Sequence, residues 1–216
     1  MIELTDISLR IDGKRILNNI NLTINEGKCF GLVGRNGSGK TMLMKVLCGF
    51  VLPTTGTVTI GNERIGETCD FPSDTGVIIE TPGFIQSKSG FKNLKNLAAL
   101  NGIIGDETVR ETMKMVGLDP GSDIPISKYS MGMKQRLGLA QAVMENPKLL
   151  VLDEPFNGLD MEGVEDMRGY LLRQKKEGRT IVISSHHKED IDVLCDDYVV
   201  MNHGEIIERV SNEEYQ

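Results

Sequence analysis

The chain has 216 residues, of which 39% are hydrophobic and 25% are charged, and its formal net charge is −7. This composition can bury a full core, which excludes an intrinsically disordered protein, and the acidic balance excludes a general attraction to nucleic acid. No segment approaches the roughly 18 consecutive apolar residues of a membrane span, and no basic-then-apolar leader is present, so we expect a cytoplasmic chain.

Hydrophobic periodicity predicts strands that alternate with helices, which is typical of a mostly parallel sheet. In chain order the predicted strands cover residues 2–11, 16–24, 29–33, 57–60, 76–80, 148–152, 180–184, 198–201 and 205–209. A helix is predicted at 42–50, a helical lobe from about 81 to 146, a helix carrying Val164, Met167 and Leu171, and a short helix near Asp190. The four cysteines, Cys29, Cys48, Cys69 and Cys195, show no C-x-x-C spacing and predict reduced packing thiols.

A glycine-rich loop lies between the third predicted strand and the first predicted helix. It has the pattern G-x-x-x-x-G-K-[ST] and consists of Gly34, Arg35, Asn36, Gly37, Ser38, Gly39, Lys40 and Thr41. Such a loop turns backbone N–H groups toward phosphate oxygens, Lys40 reaches the terminal phosphates and the Thr41 hydroxyl can ligate Mg²⁺. The loop therefore predicts a nucleoside-triphosphate site.

Two acids end the apolar strand before residue 155. Because the carboxyl ends of parallel strands share one edge of a sheet, Asp153 and Glu154 are expected beside the phosphate loop. Asp153 is a candidate Mg²⁺ ligand, and Glu154 is a candidate base for an attacking water.

Further segments follow in a fixed order. Residues 129–136 read YSMGMKQR, residues 157–160 read NGLD and residues 184–186 read SSH. With the two acids and the phosphate loop, this set resembles the nucleotide-binding subunit of ATP-binding-cassette (ABC) transporters over nearly the whole chain.

The resemblance implies roles for several of these residues. Ser130 and Gly132 would bind ATP held by a second protomer, and Asp160 would communicate across that dimer interface. His186, with adjacent His187 as its rival, would contact the γ-phosphate or the attacking water. Glu80 stands where the family usually has glutamine and would be a charged Mg²⁺ ligand.

The resemblance also implies the fold, the domain organisation and the partners. The expected fold is that of an ABC ATPase, with a mostly parallel core sheet, an N-terminal antiparallel β subdomain and an inserted helical subdomain. Residues 1–216 would form a single nucleotide-binding domain, with core and β subdomain at 1–80 and 147–216 and the helical subdomain at 81–146. The implied activity is hydrolysis of ATP with Mg²⁺, in a homodimer or with a paralogue, on the cytoplasmic face of a membrane permease.

Two features refine or limit these expectations. Glu80, together with the 129–136 segment, resembles the bacitracin and lantibiotic self-protection branch, which exports antimicrobial peptides. The family usually stacks adenine on an aromatic residue near Ile11, yet no aromatic precedes Phe30, so the sequence leaves the base contact open. A single-cassette ATPase of iron–sulfur cluster assembly and a nonhydrolysing interaction module are the alternatives that the sequence leaves open.

Overall fold

The structure, a computed structural model, describes residues 1–80 and 83–211. Residues 81 and 82 start the predicted helical lobe, and residues 212–216 end the predicted core. Both segments lie outside the described residues. No helix in the described ranges is long and apolar enough to cross a membrane.

The described residues form ten strands and six α-helices. The strands are β1 (Ile2–Ile11), β2 (Lys14–Ile24), β3 (Cys29–Val33), β4 (Thr55–Ile60), β5 (Glu63–Arg64), β6 (Thr75–Ile78), β7 (Leu149–Asp153), β8 (Thr180–Ser185), β9 (Asp197–Asn202) and β10 (Glu205–Ser211). The helices are α1 (Lys40–Leu47), α2 (Gly90–Asn101), α3 (Asp106–Met115), α4 (Met131–Val143), α5 (Met161–Lys176) and α6 (Lys188–Leu194), with a 3-10 turn at Ile126–Lys128.

These strands make two sheets. The larger has the order β10-β9-β3-β8-β7-β6, in which all pairs are parallel except β10 with β9. The smaller is antiparallel and has the order β2-β1-β4-β5. The mostly parallel core with an N-terminal antiparallel sheet and a run of helices between β6 and β7 confirms the predicted fold class.

Side chains alternate between the two faces of the parallel sheet because the period of a strand is two residues. On β7, Leu149 and Val151 pack with α1 and the antiparallel sheet, whereas Leu150 and Leu152 pack with α4, α5 and the helices of the inserted segment. The same strand therefore joins two hydrophobic cores, and it ends with Asp153 at the edge where the phosphate loop emerges.

Some predicted boundaries were wrong. The first helix starts at Lys40 and ends at Leu47, not at 42 and 50. The strand predicted over 76–80 is β6, which ends at Ile78, and Glu80 has a left-handed φ of 60°. The two-residue strand β5 was not predicted, since it is too short to show a hydrophobic period.

Candidate functional site

The phosphate loop links the buried strand β3 to α1 and is supported from the far end of the chain. Gly39 is the N-cap of α1 with φ 109°, a conformation that L side chains rarely adopt. The Gly204 N–H in the β9–β10 turn donates to the Ser38 carbonyl at 2.8 Å, and the Gly204 carbonyl accepts from the Asn18 N–H at 2.9 Å. The last hairpin thus fixes the loop against β2.

Gly204 allows this close approach. Its φ is 79°, and a Cβ at this position would lie 2.2 Å from the Ile16 carbonyl oxygen. A larger residue would displace the turn from both β2 and the phosphate loop.

Lys40 is buried within the loop that precedes it. Its ammonium donates to the Gly34 carbonyl at 2.6 Å and to the Arg35 carbonyl at 3.5 Å. Its Nζ also lies 3.9 Å from Glu154 Oε1. Because this ammonium is already removed from water, a phosphate can bind it with little further desolvation of the lysine.

Thr41 and Asp153 meet at the start of α1 and the end of β7. The Thr41 hydroxyl donates to Asp153 Oδ2 at 2.7 Å, and the Ser184 hydroxyl donates to Asp153 Oδ1 at 2.5 Å. Three hard oxygen-bearing groups therefore converge, which is the donor set that Mg²⁺ prefers.

Glu154 has a strained backbone and a partly free carboxylate. Its φ is 48°, a conformation that costs about 1–2 kcal/mol for a non-glycine residue, and its N–H donates to Ser184 Oγ at 2.9 Å. Oε1 is buried without a hydrogen-bond partner among the described residues, whereas Oε2 lies 2.8 Å from His186 Nδ1. A fixed carboxylate with one unused oxygen suits the binding of a water molecule.

The two histidines differ in their contacts. The His186 ring contacts Glu154 Oε2, and the His186 backbone N–H donates to the same oxygen at 3.4 Å. His187 is the N-cap residue of α6, and the centroid of its ring lies 4.0 Å from that of His186.

Glu80 is joined to α1. Its Oε1 lies 2.7 Å from Lys45 Nζ, and its side chain is 62% exposed. A cation that binds this carboxylate therefore has to compete with Lys45.

The other predicted residues form a second cluster at the start of α4. Ser130 caps the helix by accepting the Met133 N–H at 3.2 Å. A Cβ on Gly132 would lie 2.6 Å from the Gly158 carbonyl oxygen, so α4 packs closely on the 157–160 segment. Helix N-termini with free N–H groups bind anions, which makes the exposed Ser130 end of α4 a candidate phosphate contact.

Asp160 ties this cluster to α5. It is the N-cap of α5, accepts the Gly163 N–H at 3.2 Å and accepts from Arg136 Nη2 of α4 at 3.0 Å. The Gly163 N–H and the Arg136 guanidinium lower the pKa of the Asp160 carboxyl. Asp160 is therefore held in its charged form between two helices.

Sequence reasoning missed Ser184, Lys45 and Arg136 as members of the site. Ser184 lies within the SSH segment, two residues before His186, and that proximity is its only signal in the sequence. Lys45 and Arg136 meet their partners 35 and 24 residues away, so nothing in the local pattern indicates them.

A cavity of about 410 Å³ covers the phosphate loop and includes Asp153 and Glu154 in its lining. Ile16 and Met42 are its apolar lining residues, alongside the loop residues 36–41. A loop of this form at the carboxyl edge of a parallel sheet, with an acidic strand end beside it, defines a nucleoside-triphosphate-binding protein.

Comparison with known proteins gives the family. The ABC transporter family model matches residues 17–157, and the chain belongs to this family. It is an ATP-binding subunit of this family.

Three curated relatives show the range of similarity. The chain is 43% identical over 206 residues to "Uncharacterized ABC transporter ATP-binding protein YybJ" of Bacillus subtilis (strain 168), covering 95% of this chain and 94% of the relative. It is 41% identical over 216 residues to "Bacitracin transport ATP-binding protein BcrA" of Enterococcus faecalis, covering 99% and 70%. It is 40% identical over 196 residues to "Lantibiotic transport ATP-binding protein SrtF" of Streptococcus pyogenes, covering 90% and 84%. The predicted resemblance to the bacitracin and lantibiotic branch is confirmed.

A solved structure supports the fold. The chain superposes with a TM-score of 0.86 and 22% identity on the dimeric post-hydrolysis state of the ATP-binding cassette MJ0796 bound to ADP and Pi, covering 98% of both chains. At this identity the likeness establishes the fold alone.

Proposed function

We propose that this chain hydrolyses Mg²⁺–ATP in order to power the export of an antimicrobial peptide through a separate membrane-spanning permease. The observation that carries the hydrolysis is the Glu154 carboxylate beside the phosphate loop: His186 contacts its Oε2, its Oε1 has no hydrogen-bond partner among the described residues, and the Glu154 backbone N–H is fixed by Ser184. The peptide cargo is supported by the names of the BcrA and SrtF relatives, which are transport proteins for bacitracin and lantibiotics.

The residues of the loop region divide the chemistry between them. The backbone N–H groups of residues 34–41 and Lys40 bind the phosphates, and Thr41 and Asp153 hold Mg²⁺, with Glu80 as a further oxygen ligand. Mg²⁺ would neutralise charge that develops on the phosphate oxygens. Glu154 accepts a proton from the attacking water, and His186 keeps Glu154 oriented and can hydrogen-bond the γ-phosphate.

The cluster at the start of α4 would complete a second protomer's site. Ser130 and Gly132 lie on the exposed turn that opens α4, where N–H groups and a hydroxyl can meet the γ-phosphate bound by another copy or by a paralogue. Asp160 caps α5 and is paired with Arg136 of α4, so it would transmit closure of that dimer to α5.

The inserted helices offer a surface for the permease. Leu100 and Ile103 are 81% and 68% exposed, and they line a groove of about 510 Å³ with Leu97 and the edge strand β6. Large exposed side chains around a groove are typical of protein interaction sites. We propose that residues 81–146 act as the permease-facing subdomain of a single domain over 1–216, with 1–80 and 147–216 as the catalytic core, on the cytoplasmic face of the membrane.

Glu154→Gln tests the catalytic assignment. The variant keeps the shape of the side chain but loses the base, so ATP hydrolysis is expected to fall by about 100-fold or more while ATP binding persists. Size-exclusion chromatography with ATP should then show a stable dimer. Rapid turnover by this variant would contradict the role of Glu154.

Lys40→Ala is the matched control for binding. At ATP concentrations of about 100 times Kd, binding stabilises a protein by about 2.7 kcal/mol, so the wild type should show a clear rise in Tm with ATP. Lys40→Ala should not. A rise that survives the change would place the phosphates elsewhere.

Export is tested in cells. Deletion of this chain should increase sensitivity to a peptide antibiotic of the bacitracin or lantibiotic type, and expression of Glu154→Gln should not restore resistance. An intact permease should copurify from detergent-solubilised membranes. Copurification of a soluble iron–sulfur scaffold instead would favour the alternative function.

A further inference from the structure

A chain of hydrogen-bonded side chains lies behind His186 and includes none of the residues assigned above. Arg168 of α5 donates to Asp190 Oδ1 of α6, through Nε at 3.0 Å and also through Nη2. The Ser185 hydroxyl donates to Asp190 Oδ2 at 2.8 Å. Ser185 Oγ in turn accepts the backbone N–H of His187 at 3.0 Å.

The network is shielded from water. Asp190 and Ser185 are each 2% exposed, and the Asp190 carboxylate has one oxygen on Arg168 and the other on Ser185. A buried carboxylate is stable only when it is paired and hydrogen-bonded, so both partners constrain its orientation. Because the Ser185 hydroxyl donates to Asp190, its lone pairs are directed toward the His187 N–H.

His186 lies between the two ends of this clamp. A Ser185 hydroxyl that binds the N–H two residues later fixes the intervening backbone in a turn. The His187 side chain makes no capping hydrogen bond at the start of α6, and the Ser185 hydroxyl holds the turn together with the longer bond from the His186 backbone N–H to Glu154 Oε2 at 3.4 Å. The turn directs the His186 ring to Glu154, where Nδ1 lies 2.8 Å from Oε2.

We propose that Arg168, Asp190 and Ser185 are positioning residues that hold His186 against Glu154 in the geometry needed for hydrolysis. The inference rests on the proposed roles of Glu154 and His186. It also gives α5 a part in the reaction, because α5 is capped by Asp160, the partner of Arg136, and carries Arg168 about two turns later. The helix α5 thus connects the cluster at the start of α4 to the turn that carries His186.

Histidine NMR tests the positioning without relying on activity. The chain has three histidines, so ¹⁵N-histidine labelling gives three imidazole spectra that single substitutions can assign. Ser185→Ala, which removes only a hydroxyl, and Arg168→Met should shift or broaden the His186 imidazole signals. Unchanged His186 signals in folded Ser185→Ala would overturn the proposal.

Arg179→Met is the matched control. The Arg179 side chain is 13% exposed and that of Arg168 is 22% exposed, and Arg179 also has an acidic partner, Glu177. Arg179, however, binds the Pro147 carbonyl just before β7, at the edge of the sheet opposite to the one at which His186 follows β8. Arg179→Met should lower Tm and leave the His186 signals in place. A His186 shift in this control as large as that in Arg168→Met would show that general loosening is responsible, and would overturn the proposal.

Steady-state kinetics supplies the second readout. In Ser185→Ala and Arg168→Met, kcat should fall at least tenfold while KM for ATP stays within twofold, and Arg168→Lys should recover part of kcat. Equal changes in kcat and KM, or no recovery with lysine, would overturn the proposal. If the wild type hydrolyses no ATP, the proposed function fails, while the NMR comparison still decides the positioning role; if Arg168→Met does not fold, Ser185→Ala decides alone.

Discussion

Glu80 is bound to a lysine and partly open to solvent. The 2.7 Å contact between Lys45 Nζ and Glu80 Oε1 joins α1 to the residue after β6, and Glu80 remains 62% exposed. Exposed ion pairs of this kind stabilise a protein by about 0–1 kcal/mol, which a divalent cation can replace. An amide in place of Glu80 could accept a hydrogen bond from the Lys45 ammonium but would carry no charge, so this ion pair depends on the carboxylate.

Lys45→Met should therefore strengthen the response to Mg²⁺. Freed from competition, Glu80 is expected to lower the Mg²⁺ concentration needed for half-maximal stabilisation by ATP by up to about fivefold, the equivalent of about 1 kcal/mol. Thermal shift titrations with Mg²⁺ at fixed ATP measure this value. Lys148→Met breaks the exposed Lys148–Asp74 pair and serves as the control. A larger Mg²⁺ requirement in Lys45→Met would argue that Lys45 supports the metal site.

At the scale of elements, α4 packs closely on β6 at Gly76. A Cβ on Gly76 would lie 1.9 Å from the Ala142 carbonyl oxygen, and the obstacle is backbone, which cannot rotate away. The edge strand β6 and the helix α4 can therefore pack this closely only because residue 76 is glycine. Their relative position depends on that contact.

Gly76→Ala and Gly169→Ala should change stability in opposite directions. Overpacking typically costs about 1–3 kcal/mol, so Gly76→Ala should lower the free energy of unfolding by at least that amount. Gly169 lies inside α5 with only the Arg173 side chain near its Cβ position, and alanine there should stabilise the helix by about 0.5–1 kcal/mol. Urea unfolding of both variants measures the difference. A neutral Gly76→Ala would show that α4 can move away from β6.

The elements that could be predicted are those with a long hydrophobic period. β1 and β3 were predicted with their observed bounds because apolar residues alternate along β1 and run without a break along β3. α1 was misplaced at its start since Lys40 and Thr41 belong both to the phosphate loop and to the first helical turn. Glu80 leaves the strand pattern through a left-handed backbone conformation that its residue type does not indicate.

At the scale of the whole molecule, the mostly parallel sheet separates two hydrophobic cores. The reactivity of the cysteines shows whether these cores are folded. Cys29, Cys48 and Cys195 are buried and Cys69 is partly exposed. Burial raises the pKa of the Cys48 thiol to about 12, so its reactive thiolate is scarce near neutral pH.

Alkylation should distinguish these cysteines. With iodoacetamide near pH 8, Cys69 is expected to be modified in the folded protein, and the other three only after unfolding in urea. Peptide mass spectrometry identifies the modified positions. Fast modification of Cys48 in the folded protein would contradict its burial in the core at the end of α1.

The site could be predicted in part. The phosphate loop and the two acids are local patterns, and parallel-sheet topology alone brings Thr41 and Asp153 to one edge. The contacts of Ser184, Lys45 and Arg168 depend on which side chains meet after the helices pack. The spacing of these residues along the chain does not predict those contacts, so only the structure reveals them.

The turn at Gly204 links the order of synthesis to the onset of ligand binding. Its N–H and carbonyl join Ser38 to Asn18, yet a ribosome makes residues 34–41 long before it reaches residue 204. Chains are built from the N-terminus at about 5–20 residues per second, so the phosphate loop leaves the ribosome on the order of ten seconds or more before the turn that supports it. ATP can therefore assist the folding of this nucleotide site only after the β9–β10 hairpin has left the ribosomal exit tunnel.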